Sequence, residues 1–309
     1  MQPIIPPVDK ALLLSELTKD RYVREANFGS NQIFIVNHHN APNVLREIGR
    51  LRELTFRAAG GGTGQELDLD SFDTKENGYE QLLVWDPEDK AIVGGYRYID
   101  CKNVVNEKGE VELATTELFN FSPKFIEEYL PYTIELGRSF VQPSYQPSVG
   151  NRRGLFSLDN LWDGLGALVV NYPDVKYFFG KITMYPSFHA QSRDLIHFFM
   201  NHYFPDKDNL IVPIEPLNYK TDTSNFEGIF DGLDYKEGHK VLNQFVRKHG
   251  ENIPPLVNAY MNLSLTMKNF GTAINHHFGE VEETGILVSI ADIYESKKER
   301  HVATYLAQV

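Results

Sequence analysis

A carboxylate and a guanidinium, Glu135 and Arg138, interrupt a run that otherwise reads as a buried strand, YTIELGRSFV over residues 132–141. Taking an unpaired charge out of water is costly, so each needs a charged partner or a reaction to serve. Three positions apart on a regular strand, they face opposite ways and do not pair with each other. Structural ion pairs and a reaction site both remain open from these residues alone. Upstream, LDLDSFD sets Asp68, Asp70 and Asp73 close together. Carboxylates so spaced serve turns and caps, or a hard cation such as Ca2+ or Mg2+, although the rest of an EF-hand loop is missing and no metal is expected.

Other chemistry-bearing residues read more plainly. Gly60-Gly61-Gly62-Thr63-Gly64 invites comparison with a phosphate cradle, but a P-loop continues with Lys and Ser or Thr, whereas Gln65-Glu66 follow here. A mobile loop is the expectation. The pairs His38-His39 and His276-His277 are adjacent residues, and neighbours on a strand point apart, which disfavours a shared metal. Arg52 and Arg57 suit solvated helix charges as well as a site. Cys101 is the single cysteine, so a disulfide or cysteine-based zinc cluster is excluded and a reducing cytoplasm is the simplest location.

Positioning such groups requires a framework, and 309 residues with 42% hydrophobic content allow one large domain or two modest ones. The net charge of -12 opposes nonspecific binding to nucleic acid and anionic lipid. The short apolar run at residues 11–14 lacks a basic leader, which reads against a signal peptide, and no window approaches the ~18 apolar residues of a membrane span.

Residues 1–30 read as an N-terminal arm with one short helix. A strand is expected at 31–36 and a helix at 42–59, with Asn40 as N-cap candidate and Pro42 in the first turn. Residues 81–86 and 91–99 read as a hairpin. A short helix at 122–130 starts at Ser122 and Pro123, and 132–141 is a central strand. Helix 155–172, strand 175–185 and helix 187–203, capped by Ser187, continue an alternation that predicts an α/β layer structure with at least one parallel pair. Residues 205–253 read as an insertion or lid. A helix at 256–269 and a strand at 285–290 within 254–309 complete a core that spans 31–204.

The succession of a helix carrying Arg52 and Phe56, DLDSFD, a hairpin with Gly95 and Arg97, ELGRS and a helix with Leu161-Trp162 resembles one family. It is similar to the GNAT-related acyltransferases of the hemolysin-like or ornithine-lipid N-acyltransferase group, relatives of the acyl-homoserine-lactone synthases. NHHNAPN (residues 37–43) and IPPLVNAYMNL (residues 253–263) extend the likeness to enzymes that make glycine or ornithine lipids, over roughly residues 31–295. The resemblance implies a GNAT-like fold, with a mixed central sheet flanked by helices. It also implies transfer of a fatty acyl group, in 3-hydroxylated form, from acyl carrier protein to the α-amine of glycine or ornithine. No cofactor would be tightly bound; acyl-phosphopantetheine, on acyl carrier protein or as acyl-CoA, would be the co-substrate. A cytoplasmic location follows, with transient contact at the inner membrane left open, as is the oligomeric state.

By the same resemblance the site comprises Arg52, Phe56, Asp70, Asp73, Arg97, Glu135 and Arg138. Aminolysis of a thioester needs a neutral amine, and an α-amine is mostly protonated at pH 7, so a base is required. Glu135 is the candidate, acting through water. Backbone amides near Gly94-Gly95 or Gly137 would steady the oxyanion, and Arg97 or Arg138 would hold the acceptor carboxylate, oriented by Asp70 or Asp73. Asn151-Arg152-Arg153-Gly154, ahead of a helix, suits the phosphopantetheine phosphate. That loop departs from the Q/R-x-x-G-x-G/A pattern of acetyl-CoA-using relatives and favours a carrier-protein donor. Two alternatives remain. His189 and Asp194 fit the H-x4-D pattern of glycerolipid O-acyltransferases, although ELGRS stands on the wrong side of the histidine, and a catalytically inactive acyl-binding module would keep the same fold.

Overall fold

The computed structural model describes residues 1–146 and 153–307. Its strands in chain order are β1 (Tyr22–Glu25), β2 (Gln32–Val36), β3 (Glu80–Asp86), β4 (Ala91–Asp100), β5 (Phe119–Phe121), β6 (Thr133–Val141), β7 (Tyr177–Met184), β8 (Ile211–Pro213), β9 (Lys268–Asn275) and β10 (Val281–Ser289). The helices used below are α1 (Lys10–Glu16), α2 (Pro42–Ala58), α3 (Ser71–Thr74), α4 (Ser157–Asn171), α5 (Ala190–Tyr203), α6 (Tyr235–Lys248) and α7 (Pro255–Met261). The chain divides into two compact units, one of residues 1–104, 132–175 and 294–309, the other of 105–131 and 176–293.

In the first unit β1, β2, β3, β4 and β6 lie side by side as antiparallel ladders. Gln81 of β3 bonds to Arg52 of α2. Its neighbour Leu82 meets Gly164 of α4, where an added Cβ would stand 2.5 Å from Leu82 Cδ2. Adjacent strand residues face opposite ways, so α2 and α4 cover opposite faces of the sheet. The expected strand, helix and hairpin at 31–36, 42–59 and 81–99 are all present.

The second unit holds the antiparallel ladders β7–β10–β9 and β5–β8. Residues 205–253 contain β8 and α6. The α6 helix opens with a reciprocal Asp234/Glu237 capping box and buries a stripe of Gly238, Leu242 and Val246. Gly238 sits under the Tyr203 hydroxyl, 2.1 Å from where a Cβ would be, so α6 packs closely on the end of α5 at this glycine.

Several local expectations change. Inside each unit the ladders of named strands are antiparallel, with one parallel bridge between Pro205 and Asn269. The helix expected over 256–269 ends at Met261, and Lys268–Asn275 is a strand whose Gly271, at φ +86°, no helix accommodates. Asn40 does not cap α2; its Oδ1 accepts from Asn37 N at 2.9 Å. The Glu16 carboxylate of α1 instead accepts from Asn43 N at 3.2 Å and Val44 N at 2.9 Å. The α5 cap is His189 rather than Ser187, and the segment after Ser122 winds as a π-turn, Phe125–Tyr129. Among the described residues no helix is long and apolar enough to cross a membrane.

Candidate active site

The acidic segment between α2 and β3 is laid down on α2 at a glycine. Asp68 N donates to Gly49 O at 2.9 Å, and a Cβ on Gly49 would come within 2.7 Å of Leu69 Cγ. Two residues on, Asp70 caps the short α3 helix: its Oδ1 accepts from Phe72 N at 2.9 Å and Asp73 N at 3.2 Å, and Asp73 Oδ2 accepts from Asp70 N at 3.1 Å. The turn-and-cap expectation therefore holds for Asp70, and the capping box also aims Asp73 into the protein. Among the described residues no cluster of three or more ligands suits a metal.

Three arginines meet these aspartates on the α2 face. Arg52 Nη1 donates to Asp73 Oδ1 at 3.1 Å, and its Nη2 to Gln81 Oε1 at 2.5 Å. Arg97 Nη1 donates to Asp70 Oδ2 at 2.7 Å and Asp73 Oδ2 at 3.1 Å, with the guanidinium over the Tyr79 ring at 4.9 Å. Gln81 Nε2 donates to Asp73 Oδ1 at 3.0 Å, closing the network. Arg52 and Asp73 are fully buried, so the solvated-helix expectation is excluded for Arg52. Burial pushes the Asp73 carboxyl up, but Arg52 and Arg97 outweigh it and hold the group well below the usual carboxylate range. Burial weakens the charge of Arg97 too, and Asp73 with Asp70 reverses the effect, raising that guanidinium. For Arg52 burial wins and its pKa falls. Arg52 Nε and Arg97 Nε are buried without a hydrogen-bond partner among the described residues.

The most consequential departure from regular structure lies in β6. Arg138 has φ +48°, left-handed for a residue with a side chain, and its ladder with β4 slips between Gly95 and Arg97. A left-handed residue in a slipped register breaks the two-residue alternation of a strand. Arg138 consequently reaches the aspartates: its Nε lies 2.9 Å from Asp68 Oδ2, and its Nη2 lies 3.9 Å from Asp70 Oδ2. Arg97 stands opposite Gly137 and Ile99 opposite Glu135, and ladder partners and residues two apart share a face. Glu135 therefore shares the α2 face with Arg97, and Arg138 turns to that side as well. The expectation that Glu135 and Arg138 point to opposite faces is thus corrected.

Glu135 is 1% exposed. It neighbours Cys101, whose thiol is pushed well up by burial and then by the Glu135 charge. Phe56, one turn beyond Arg52, is buried on α2. Gly94 and Gly95 stand just before the slip, and Cβ atoms there would fall 2.3 Å from Phe140 O and 2.7 Å from Leu82 O, so the strands close on bare backbone. Gly154 lies in the turn Arg153–Phe156 that leads into α4. Asn151 and Arg152 fall outside the described residues, as does the Arg153 side chain.

Residues outside this face have other partners. The glycine loop folds around an internal anion: Thr63 N at 3.0 Å, Thr63 Oγ1 at 2.8 Å and Gly64 N at 2.8 Å donate to the buried Glu53 carboxylate, which also pairs with Arg57 at 2.7 Å. Asp194 accepts from Lys220 N, Thr221 N and Thr221 Oγ1, whereas His189 Nδ1 faces Ser192. The pair required for hydroxyl activation is not assembled. Asp68, Gln81 and Glu53 were not singled out as site residues. Only Asp68 carried a signal, its place two residues before Asp70.

The stretch that holds these buried arginines, their aspartates and the slipped strand, residues 51–153, matches the acetyltransferase (GNAT) domain model, which places the chain in an acyl-transfer class. One relative, the glycine N(alpha)-acyltransferase of Phocaeicola vulgatus, is 54% identical over 309 residues, covering 100% of this chain and 95% of its own. Another, of the same description from Bacteroides thetaiotaomicron, is 56% identical over 307 residues, 99% of this chain and 91% of its own. The chain belongs to the glycine N(alpha)-acyltransferase family and is an N-acyltransferase. A solved N-acyl amino acid synthase from uncultured soil microbes superposes at a TM-score of 0.40 with 10% identity, over 85% of this chain and 91% of that one.

Proposed function

We propose that this enzyme transfers a fatty acyl group from the phosphopantetheine thioester of acyl carrier protein to the α-amine of glycine, forming an N-acylglycine. The observation that carries this reading is the single sheet face on which Glu135, Arg97 and Arg138 stand together with Asp68, Asp70 and Asp73. The relatives' named activity supports glycine as the acceptor.

In this reading the glycine carboxylate docks on Arg138, whose planar fork suits a carboxylate. Asp70 and Asp73 fix Arg97 beside it. The amine nitrogen attacks the thioester carbonyl carbon, so a C–N bond forms and the C–S bond breaks. The amine proton passes through water to Glu135, and the departing sulfur leaves as the pantetheine thiol once protonated. Backbone amides at the β4–β6 slip face the negative oxygen of the intermediate.

The test is to incubate the protein with 3-hydroxyacyl carrier protein, or with the matching acyl-CoA, and glycine, ornithine, serine or lysophosphatidate, following thiol release and the acylated product. Preferential N-acylglycine formation from the carrier-protein donor is expected. Turnover only with lysophosphatidate would replace the reading by O-acylation, and thiol release with no acceptor preference would remove glycine from it.

A further inference from the structure

We propose that Asp68 is a positioning residue for acceptor binding, holding Arg138 in the left-handed conformation that presents its guanidinium to the acceptor carboxylate; this rests on the function proposed above. Three observations converge on it. First, a non-glycine residue at φ +48° is sterically disfavoured because its Cβ crowds the backbone, so something must hold it there. Second, Asp68 makes the tight contact: Arg138 Nε is 2.9 Å from Asp68 Oδ2 and 3.2 Å from Oδ1, against 3.9 Å for the nearest approach of Nη2 to Asp70. Anchoring at Nε fixes the plane of the guanidinium. Third, Asp68 is itself immobilised. It is 1% exposed, and its own N–H is bonded to Gly49 O of α2 at 2.9 Å.

Asp68 is distinct from its neighbours in this respect. Asp73 joins Arg52 to Arg97, and Asp70 joins the α3 cap to Arg97. Asp68 alone of the three makes its short contact with Arg138, so removing its charge leaves the Arg52–Asp73–Arg97 network intact.

A double-mutant cycle on the full-length protein separates positioning from a general structural role. Asp68→Asn is expected to raise KM for glycine about tenfold, the scale of coupling between contacting residues, with kcat and KM for the acyl donor within about twofold. In an Arg138→Gln background the same substitution should add less than about twofold, because the group it orients is already gone. Additive effects, or equal rises in both KM values, would overturn the assignment. If Arg138→Gln itself leaves the glycine KM unchanged, the fault lies in the proposed acceptor clamp. If Arg138→Gln raises it and Asp68→Asn does not, the fault lies in Asp68. Should Asp68→Asn alone fail to fold, the double variant, which removes both charges, must fold with the glycine KM of Arg138→Gln; its failure to fold would make Asp68 a structural residue only.

Discussion

Arg52 and Asp73 are joined by a 3.1 Å ion pair in which neither side chain has any solvent exposure. Two charges in such a place hold each other up, and removing one strands the other. Asp73→Ala should therefore destabilise the protein by about 3–5 kcal/mol, read from denaturant midpoints, because Arg52 and Arg97 both lose a carboxylate. A loss below about 1 kcal/mol would show that water enters and replaces it.

Glu135→Gln preserves the size and shape of the side chain while removing the basic site. Turnover at neutral pH should fall about 10²-fold or more, the usual scale for a lost general base, with an unchanged melting temperature. Wild-type turnover in this variant would take Glu135 out of the role.

The glycines of the β4–β6 slip should respond unequally. Gly94→Ala drives a methyl to 2.3 Å from a backbone oxygen and should cost about 1–3 kcal/mol. A Cβ at Gly137 meets only the Arg97 side chain, at 3.5 Å, so Gly137→Ala should fold with stability within about 1 kcal/mol of the parent. Equal losses at both positions would contradict this geometry.

Cutting the α1 to α2 bond by Glu16→Ala should lower stability by about 0.5–2 kcal/mol, as loss of a helix cap does. Thermal unfolding of the variant and the parent gives the comparison. No change would mean that water caps the first turn of α2 equally well.

Stability in acid should depend on Glu282 of β10. Burial acts to raise its carboxyl, but His197 at 3.7 Å and hydrogen bonds from Arg193 and Lys220 prevail and bring it down to about 2, from an ordinary 4.5. A depressed folded-state value means that its contribution is present above the ordinary value and is lost as pH falls toward the folded one. Unfolding free energy measured between pH 4.5 and 2 should fall less steeply in Glu282→Gln than in the parent; parallel curves would remove Glu282 from the acid transition.

Much of this was legible in the residues. The α2 helix showed its period, the β3–β4 hairpin its two apolar runs about a turn, and Asp70, Asp73, Arg97 and Arg138 do meet. What lay hidden depended on backbone conformation or distant partners. Nothing in ELGRS marks Arg138 as left-handed, so the opposed faces inferred for Glu135 and Arg138 followed a regularity the strand abandons. Glu16 serves as the α2 cap from 27 residues away, which no local pattern reveals. Lys268–Asn275 reads poorly as a strand because its apolar positions are sparse and Gly271 weakens any period. GGGTG read as a mobile loop, whereas Thr63 and Gly64 bond to the carboxylate of Glu53 in the same chain.

The seating of the acidic segment on Gly49 carries a lesson for protein engineers. Grafting Arg138 and its aspartates onto another sheet by side-chain identity alone would transplant the letters without the grammar. The recipient would also need a helix with a bare notch, a segment pressed into that notch, and a strand willing to miscount by one residue opposite it.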